Sequence, residues 1–331
     1  MEGRRLPGPG NKRGAFPHLV KVAASGYFAP WPIFHRAMPA TNMSDRDCLQ
    51  RFLFETLPIR GEIVWLDATW RTVLERRAYP VAIRQVLGEA IAAAALLSAT
   101  VKFDGLLTLQ IQAHGPLRLL VVQVAADRTL RGLARWNGDP EPAPLHTLCG
   151  DGTLVLTLDA GSGKEPYQSV IELRGDTLTE TLEHYFAHSE QLPTRIWLAT
   201  DEQTTAGLLL QQLPGNDAEP DAWRRLNVLA DTLQSTELLR LDASTLLRRL
   251  FHEEDVRLFA PQGFRYRCNC SRERTAGMLR ALGEDELRQA LTDGRTLQVD
   301  CEFCGHRYVF DPLDIAGLFA ATGPAPSVVR H

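Results

Sequence analysis

The sequence lacks a continuous apolar run long enough to cross a bilayer. Its most apolar stretch, residues 90–99, follows Gly88-Glu89 and ends before Lys102, so it falls short of the roughly 20 residues that a spanning helix needs. The first residues also lack the apolar segment and small-residue cleavage site of a signal peptide. These absences predict a buried helix at residues 90–99 and argue against a membrane partner.

Basic residues are not in excess, and common nucleotide-binding and catalytic motifs are missing. The 36 Lys and Arg residues face 40 Asp and Glu residues, which gives a formal charge of −4 and no general attraction to nucleic acid. No G-x-G-x-x-G, phosphate-binding loop or H-E-x-x-H spacing occurs, and no Ser/His/Asp or paired-carboxylate arrangement has supporting context. We therefore expect neither a nucleic-acid partner nor an enzyme.

Cysteine is scarce, with six residues in a chain of 331, yet four of the six lie in two tight pairs near the C-terminus. This clustering is unlike a secreted disulfide framework and is more typical of metal-binding or redox-active thiols in a reducing cytosol. A C-x-C pair and a C-x-x-C pair supply the four thiolates that tetrahedral Zn(II) prefers, at about 2.3 Å. The spacing predicts one zinc ion per chain, held by Cys268, Cys270, Cys301 and Cys304. The isolated Cys48 and Cys149 are expected to be small buried apolar residues.

Two interpretations of the cysteine cluster stay open. Spacing alone favours a permanently closed structural zinc site. A site that opens is the other interpretation, because a C-x-C pair forces two sulfurs together once the metal leaves, and basic neighbours favour reactive thiolates. Zinc contributes on the order of 10–16 kcal/mol to the folding of such small modules, so losing it would unfold the module. The basic residues available to offset the zinc–thiolate charge are Arg265, Arg267, Arg272, Arg274 and Arg307.

The order of predicted elements indicates an α+β protein with more than one domain. Residues 1–42 are rich in proline and glycine and predict a disordered extension, with Met43 as an alternative start. Residues 43–213 predict an N-terminal domain of mixed sheet and helix, in which 47–54 resembles a short amphipathic helix and 59–66 a strand. Helices are predicted at 69–77, 80–102 and 176–188. Further strands are predicted at 106–112, 117–125, 130–135, 152–158, 167–172, 196–199 and 206–212.

Residues 214–256 predict a helical linker, followed by a C-terminal zinc domain at 257–321 and a frayed tail at 322–331. The linker helices are rich in leucine at helical spacing, which is too apolar for an isolated solvated segment. They are expected to pack on the first domain, on each other or on a second copy of the chain. Their apolar face comprises Leu226, Leu229, Leu233, Leu246, Leu247 and Leu250.

Several motifs along the chain occur together in a recognisable order. They are Phe52-Leu53-Phe54-Glu55 with Arg60-Gly61-Glu62, Ala99-Thr100-Val101-Lys102-Phe103-Asp104-Gly105, Ser189-Glu190-Gln191-Leu192-Pro193-Thr194-Arg195 and Leu250-Phe251-His252-Glu253-Glu254. The cysteine segments that follow them are Cys268-Asn269-Cys270-Ser271-Arg272-Glu273-Arg274 and Cys301-Glu302-Phe303-Cys304-Gly305. In this order the motifs resemble those of the heat-shock protein 33 chaperones, and the cysteine segments resemble the redox switch of that family. The resemblance covers roughly residues 45–318.

The resemblance implies a cytoplasmic holdase chaperone that works without ATP. In the reduced state the four cysteines would hold zinc and the chaperone would be inactive. Peroxide or hypochlorite combined with heat would form the disulfides Cys268–Cys270 and Cys301–Cys304, release zinc and unfold the switch domain and linker. The oxidised protein would dimerise and hold unfolding client proteins under oxidative stress. We expect the apolar face of the linker to become client-binding or dimer surface.

Two other functions stay open. A zinc ribbon that binds nucleic acid would suit the arginines near the cysteines, but the acidity of the chain counts against it. A thiol–disulfide oxidoreductase using Cys301 and Cys304 would need a thioredoxin-like βαβ context, which the predicted elements do not supply.

Overall fold

The computed structural model describes residues 46–101, 103–161, 165–214, 219–290 and 296–320. The predicted N-terminal extension (1–42) and C-terminal tail (322–331) lie outside these ranges. Within them the predicted fold class is confirmed, since the chain is α+β with its four clustered cysteines in the C-terminal region.

The elements of the described ranges alternate between groups of strands and groups of helices. The strands are β1 (Asp47–Phe54), β2 (Ile59–Leu66), β3 (Leu106–Ala113), β4 (Leu117–Ala125), β5 (Thr129–Trp136), β6 (Gly152–Asp159), β7 (Tyr167–Glu172), β8 (Thr194–Thr200), β9 (Thr205–Gln212), β10 (Val256–Leu258), β11 (Gln262–Gly263), β12 (Arg265–Tyr266), β13 (Leu297–Asp300) and β14 (Arg307–Phe310). The helices are α1 (Ala68–Glu75), α2 (Val81–Thr100), α3 (Leu145–Cys149), α4 (Leu178–Tyr185), α5 (Ala222–Ala230), α6 (Ser235–Arg240), α7 (Ala243–Phe251), α8 (Arg272–Leu282), α9 (Glu284–Ala290) and α10 (Pro312–Ala320), and a π-helical turn, Phe186–Glu190, continues α4.

The described strands form two large sheets and a hairpin. Sheet A has the order β10-β1-β2-β9-β8, with β11 also paired to β1. Sheet B has the order β12-β5-β4-β3-β6-β7, and β13 pairs with β14 alone. Neighbouring strands are antiparallel except β12 and β5, which are parallel. Residues 256–266 therefore return to the N-terminal sheets before the chain reaches its first paired cysteines.

Helix α2 lies between sheets A and B at the centre of the main core. Its residues Ala92–Ala95 are completely buried. A glycine faces the helix from each sheet: a Cβ on Gly207 of β9 would lie 2.7 Å from Leu96 Cδ1, and one on Gly132 of β5 would lie 3.1 Å from Ile91 Cδ1. The alanine-rich sequence is therefore a packing requirement, because only small side chains let one helix approach two sheets closely.

The predicted buried helix is confirmed, but α2 is longer than the apolar run seen in the sequence. It spans 20 residues and is long and apolar enough, by length and composition alone, to cross a membrane. Most of it is buried inside the protein. Its burial between two sheets accounts for its apolar character without a bilayer.

Helices α5, α6 and α7 cover the face of sheet A that is turned away from α2. Strand β2 shows the two faces, since Ile63 and Trp65 contact the α5–α7 layer whereas Val64 and Leu66 contact the α2 layer. The described part of the linker therefore forms the outer layer over sheet A. Of the packing partners left open by the sequence, this structure provides two, the first domain and the other linker helices.

The prediction of a helix at residues 47–54 is wrong, because these residues form β1. Burial alternates along the strand: Cys48, Phe52 and Phe54 contact the α5–α7 layer, whereas Leu49 contacts the α2 layer. The strand pairs with β2 on one side and with β10 and β11 on the other. Pairing on both edges outweighs the local helical spacing of the apolar residues, which is a weak signal over eight residues.

Candidate metal centre

Two short segments carry the four clustered cysteines. Cys268 and Cys270 lie between β12 and α8, whose first turn is capped by the Ser271 hydroxyl accepting a hydrogen bond from the Arg274 amide at 3.2 Å. Cys301 and Cys304 lie in the turn of the β13–β14 hairpin. The sequence places each pair locally, and the fold must bring the pairs together.

The hairpin turn is shaped by its own backbone. The Cys301 amide donates to the His306 carbonyl at 2.8 Å, and the Gly305 amide donates to the Cys301 carbonyl at 2.7 Å. Gly305 has φ 71°, a left-handed conformation that glycine adopts at little cost. Just outside the turn, Arg307 binds both carboxylate oxygens of Asp300, at 2.7 and 2.9 Å. These contacts hold the two sulfurs of the C-x-x-C pair on one side of the turn.

The four sulfur atoms all lie within 4.8 Å of one another. Cys268 Sγ is 3.6 Å from Cys301 Sγ, and Cys270 Sγ is 3.4 Å from Cys304 Sγ. A tetrahedron with bonds of about 2.3 Å has edges of about 3.8 Å, so this arrangement has nearly the size that a four-thiolate zinc site needs. The cluster can hold a metal ion. All six cysteines are free thiols.

The thiols of the cluster do not ionise alike. Burial raises the pKa of Cys304 to about 12 and also raises the pKa of Cys301. Burial opposes ionisation of Cys268 as well, but hydrogen bonds from the Cys270 amide and thiol and from Arg131 outweigh it and lower its pKa to about 7. A bound divalent cation would favour ionisation of all four thiols.

The module that carries the cysteines has only a small apolar core of its own. The buried members are Ala276, Leu279, Leu287, Phe310, Ile315 and Leu318. A core of this size is marginal without a metal or a disulfide. The donor set and the small core together fit a structural zinc ion.

The module contacts sheet B through one face of β5. Leu130 and Ala134 of this strand lie in the α2 core, so Arg131 and Arg135 point the opposite way. Arg135 donates to the Glu302 carboxylate, with Nε at 3.1 Å from Oε2. The Tyr266 hydroxyl of β12 donates to the Phe303 carbonyl at 3.0 Å. The turn between Cys301 and Cys304 is thus attached to the N-terminal sheet.

Sequence reasoning missed Arg131, whose guanidinium contacts the cluster. Its Nη1 lies 3.6 Å from Cys268 Sγ and its Cζ lies 3.9 Å from the centre of the Phe303 ring. The arginines predicted from sequence proximity make hydrogen bonds or ion pairs with other groups: Arg272 with Asp314 and Val309, Arg307 with Asp300, Arg274 with Asn269, and Arg265 and Arg267 with Asp127. Residue 131 is 137 positions from residue 268, so no local pattern could have indicated it.

The predicted client surface is covered in this structure. Leu226, Leu246, Leu247 and Leu250 are buried between the linker helices and sheet A. Leu229 and Leu233 are half-buried and pack against the same cluster. Trp65 Nε1 donates to the Leu238 carbonyl at 2.7 Å and connects the sheet to α6.

The two isolated cysteines lie apart from the metal centre. Cys149 is completely buried, and burial raises its pKa to about 12, so it behaves as a small apolar residue. Cys48 is half-buried on β1, and burial also raises its pKa.

Comparison with known proteins places this combination of fold and thiol cluster in one family. Residues 47–311 match the family model described as Hsp33 protein. The 33 kDa chaperonin of Nitrosococcus oceani is 49% identical over 290 residues, which cover 87% of this chain and 100% of that protein. The 33 kDa chaperonin of Azotobacter vinelandii is 50% identical over 298 residues, again 87% of this chain and 100% of that protein.

A solved structure agrees. The crystal structure of the 33 kDa chaperonin (heat shock protein 33 homolog) from Thermotoga maritima matches with a TM-score of 0.72 at 25% identity, covering 83% of this chain and 98% of that chain. The chain therefore belongs to the Hsp33 family, which confirms the resemblance seen in the motifs. Membership supports a chaperone role.

Proposed function

We propose that this protein is a redox-regulated holdase that works without ATP and binds unfolding proteins under oxidative stress. One arrangement carries the proposal. Four thiols lie close enough together to bind a metal ion, in a module with a small apolar core, and the segment that precedes this module covers an apolar face of sheet A. No catalytic activity is part of the proposal. The domain boundaries predicted from the sequence remain predictions.

In the proposed resting state, Cys268, Cys270, Cys301 and Cys304 hold one Zn(II) as thiolates. Zinc in this site supplies folding free energy, which the module needs because its apolar core is small. With the module folded, β10 and β11 stay paired with β1, and α5–α7 stay on sheet A. The chaperone is then inactive because its apolar surface is covered.

The proposed activation is an oxidation of the four thiolates by hydrogen peroxide. Four thiolates lose four electrons and form two S–S bonds, Cys268–Cys270 and Cys301–Cys304. Two peroxide molecules accept these electrons with four protons and become four water molecules, and Zn(II) leaves without changing its oxidation state. Hypochlorite would oxidise the same thiolates, with chloride as its reduced product. The pairing within each motif comes from the family resemblance, since the sulfur separations in the reduced cluster do not distinguish the pairings.

Loss of zinc would reach the linker through the chain itself. Arg265 and Tyr266 of β12, which ends one residue before the Arg267-Cys268 step, pair with Thr129 and Leu130 of β5. β10 and β11 precede β12 and pair with β1, and α7 precedes β10. Unfolding of the module with heat would weaken these short strands and then the linker helices, which is a large change from a local trigger.

The surface exposed by this unfolding would bind clients or a second copy of the chain. The linker contributes the leucine face of α5 and α7, and sheet A contributes the apolar residues beneath it. We propose a homodimer in the oxidised state, unfolded proteins as clients, no nucleic-acid or membrane partner, and a cytoplasmic location. A reducing cytosol would keep the thiols metal-bound until stress.

Zinc content and client protection test the proposal together. The reduced protein should contain one zinc per chain and should not suppress the aggregation of a thermally unfolding client. After peroxide at elevated temperature, zinc should be released and aggregation should be suppressed. Cys268→Ser should lower zinc content, whereas Cys48→Ser, a matched change at a half-buried thiol outside the cluster, should not.

Four results would contradict the proposal. Equal client protection before and after oxidation would show that the activity is not redox-regulated. Zinc retained after oxidation would show that zinc release is not the trigger. Salt-dependent binding of the reduced, zinc-loaded protein to DNA or RNA would favour a zinc ribbon instead, and catalytic disulfide exchange would favour an oxidoreductase.

A further inference from the structure

Arg131 lies on the N-terminal sheet but contacts both halves of the metal centre. Its Nη1 approaches the sulfur of Cys268, and its guanidinium plane covers the ring of Phe303, which lies between Cys301 and Cys304. One side chain of β5 therefore contacts the C-x-C segment and the C-x-x-C turn together. Among the hydrogen bonds of the described residues, it is the arginine that reaches a cysteine sulfur.

The guanidinium is held in place before it meets the module. Its Nε and Nη2 donate to Gln123 Oε1 of the neighbouring strand β4, at 2.9 and 2.7 Å. Gln123 is directly opposite Arg131 in the sheet register, and its own Nε2 donates to Thr108 Oγ1 at 3.2 Å. The third donor, Nη1, remains to face Cys268. Such a fixed fork is a property of arginine that lysine does not share.

We propose that Arg131 is a positioning residue of the metal centre, which couples the sheet B scaffold to the four-thiolate zinc site and protects Cys268 from oxidation. This inference rests on the proposed zinc function. A zinc ion with four thiolates carries a net charge of −2, and a hydrogen bond from a cation to one sulfur withdraws electron density from it. The sulfur then attacks peroxide more slowly. Stacking on Phe303 also holds the C-x-x-C turn against the scaffold.

A nearby cation acts differently on a free thiol and on a zinc-bound thiolate. In a free thiol, a cation raises reactivity because it increases the thiolate fraction. In the zinc-bound site every sulfur is already a thiolate, so the remaining effect of the cation is to lower nucleophilicity. Arg131 would therefore set how much oxidant is needed before zinc is lost.

The test compares zinc release and a spectroscopic signature in full-length variants. Arg131→Met should lower zinc affinity about tenfold, in line with the loss of an outer contact to a metal ligand, and should speed peroxide-induced zinc release by a similar factor. In the Co(II)-substituted protein, the sulfur-to-cobalt charge-transfer band should move to lower energy because Cys268 loses its hydrogen bond. Arg131→Lys should give an intermediate rate, since it keeps the charge but not the fork.

Arg135→Gln is the matched control. It removes an arginine of the same strand and face, whose partner is the half-exposed Glu302 carboxylate and not a sulfur. Its release rate should stay within about twofold of the wild type, as expected for a surface ion pair, and its Co(II) spectrum should not change. If Arg131→Met misfolds, Gln123→Met tests the positioning role instead. It removes the acceptor that holds the Arg131 guanidinium in place but keeps the charge, and it should also speed zinc release.

The outcomes separate this inference from the proposed function. If the wild type releases zinc on oxidation and Arg131→Met and Arg131→Lys release it at the same rate, the proposed role of Arg131 is wrong. The zinc switch itself would still stand. Equal acceleration in Arg135→Gln also overturns the role of Arg131, because docking in general would then be responsible. A wild-type protein without zinc overturns both.

Discussion

Trp65 of β2 donates its indole N–H to the carbonyl of Leu238 in α6 across 2.7 Å. Both residues are almost completely buried, so this bond joins sheet A to the linker within the apolar layer. Arg46 extends the attachment: its guanidinium lies over the Trp65 ring, 5.2 Å from the centroid, and donates to the Leu241 carbonyl at 2.9 Å. These contacts hold the C-terminal end of α6 on the sheet, where helix carbonyls lack partners of their own.

Trp65→Phe should loosen the linker. A smaller aromatic ring replaces the indole, and the buried Leu238 carbonyl loses its donor, which costs about 1–3 kcal/mol. Urea unfolding should register this loss, and the peroxide dose that half-activates client protection should fall. Trp70→Phe is the matched control, because Trp70 donates to the Asp201 carbonyl at 2.8 Å from the α2 side of the sheet. Trp70→Phe should destabilise the protein without lowering the peroxide dose that half-activates client protection. If Trp70→Phe lowers that dose as much as Trp65→Phe does, the effect comes from lower global stability and not from the linker.

Leu226→Ala should also favour release of the linker. Leu226 is completely buried in the α5–α7 layer, so its truncation leaves a cavity that costs about 2–5 kcal/mol. Heat alone should then expose apolar surface to a fluorescent hydrophobic dye at a lower temperature. Val228→Ala on the same helix is the control, since Val228 is 62% exposed and its change should leave the dye-binding temperature unaltered. If the dye-binding temperature falls equally in the two variants, the cavity left by Leu226 is not what releases the linker.

Glu62 should make the folded protein less stable as pH rises. Its side chain is almost completely buried, and burial raises its pKa from 4.5 to about 7 despite Arg60 and Arg51. Between those two values the folded state holds a proton that the unfolded state has lost, so the contribution of Glu62 to stability is greatest below pH 4.5 and is lost as pH rises to 7 and beyond. From pH 6 to pH 8 the loss should be about 1 kcal/mol.

Glu62→Gln isolates this contribution. The amide cannot ionise, so the difference in unfolding free energy between the variant and the wild type should change in the variant's favour by about 1 kcal/mol from pH 6 to pH 8. Urea unfolding of the reduced, zinc-loaded proteins at the two pH values measures it. A difference that stays constant with pH would show that the Glu62 carboxyl is already charged in the folded protein at pH 6.

Chelation of zinc under reducing conditions should unfold the C-terminal module and spare the main core. The module buries few large apolar residues, whereas α2 lies completely inside a core shared by two sheets. Hydrogen exchange should therefore show lost protection in α8 and β14 and retained protection in α2. Adding zinc back should restore protection, and protection that never changes would show that the module folds without metal.

The sequence was most informative where local spacing decides the structure. The cysteine pairs lie in short segments whose turns need only a few residues, such as Gly305, so the cluster could be predicted from spacing. Strands between glycine turns were also predicted well, because alternation and turn residues are local signals. The leucine face of the linker was predicted as apolar, but the face of sheet A that it covers was not.

The errors and omissions have one physical origin, which is pairing between distant segments. The residues of β1 were predicted as a helix, and only their pairing with β2, β10 and β11 makes them a strand. Arg131 was missed for the same reason, since the contact with Cys268 depends on how β5 meets the module. Long-range pairing of this kind leaves no periodic trace in the sequence.

The short strands before Cys268 have a consequence for the edges of both sheets. β10 and β11 occupy the edge of β1, and β12 occupies the edge of β5. If these strands leave with the module, β1 and β5 each present a row of backbone amides and carbonyls with no partners. An open edge of this kind accepts an extended chain of almost any sequence, because the hydrogen bonds come from the backbone. While β10, β11 and β12 stay paired, they keep these two edges from pairing with another extended chain.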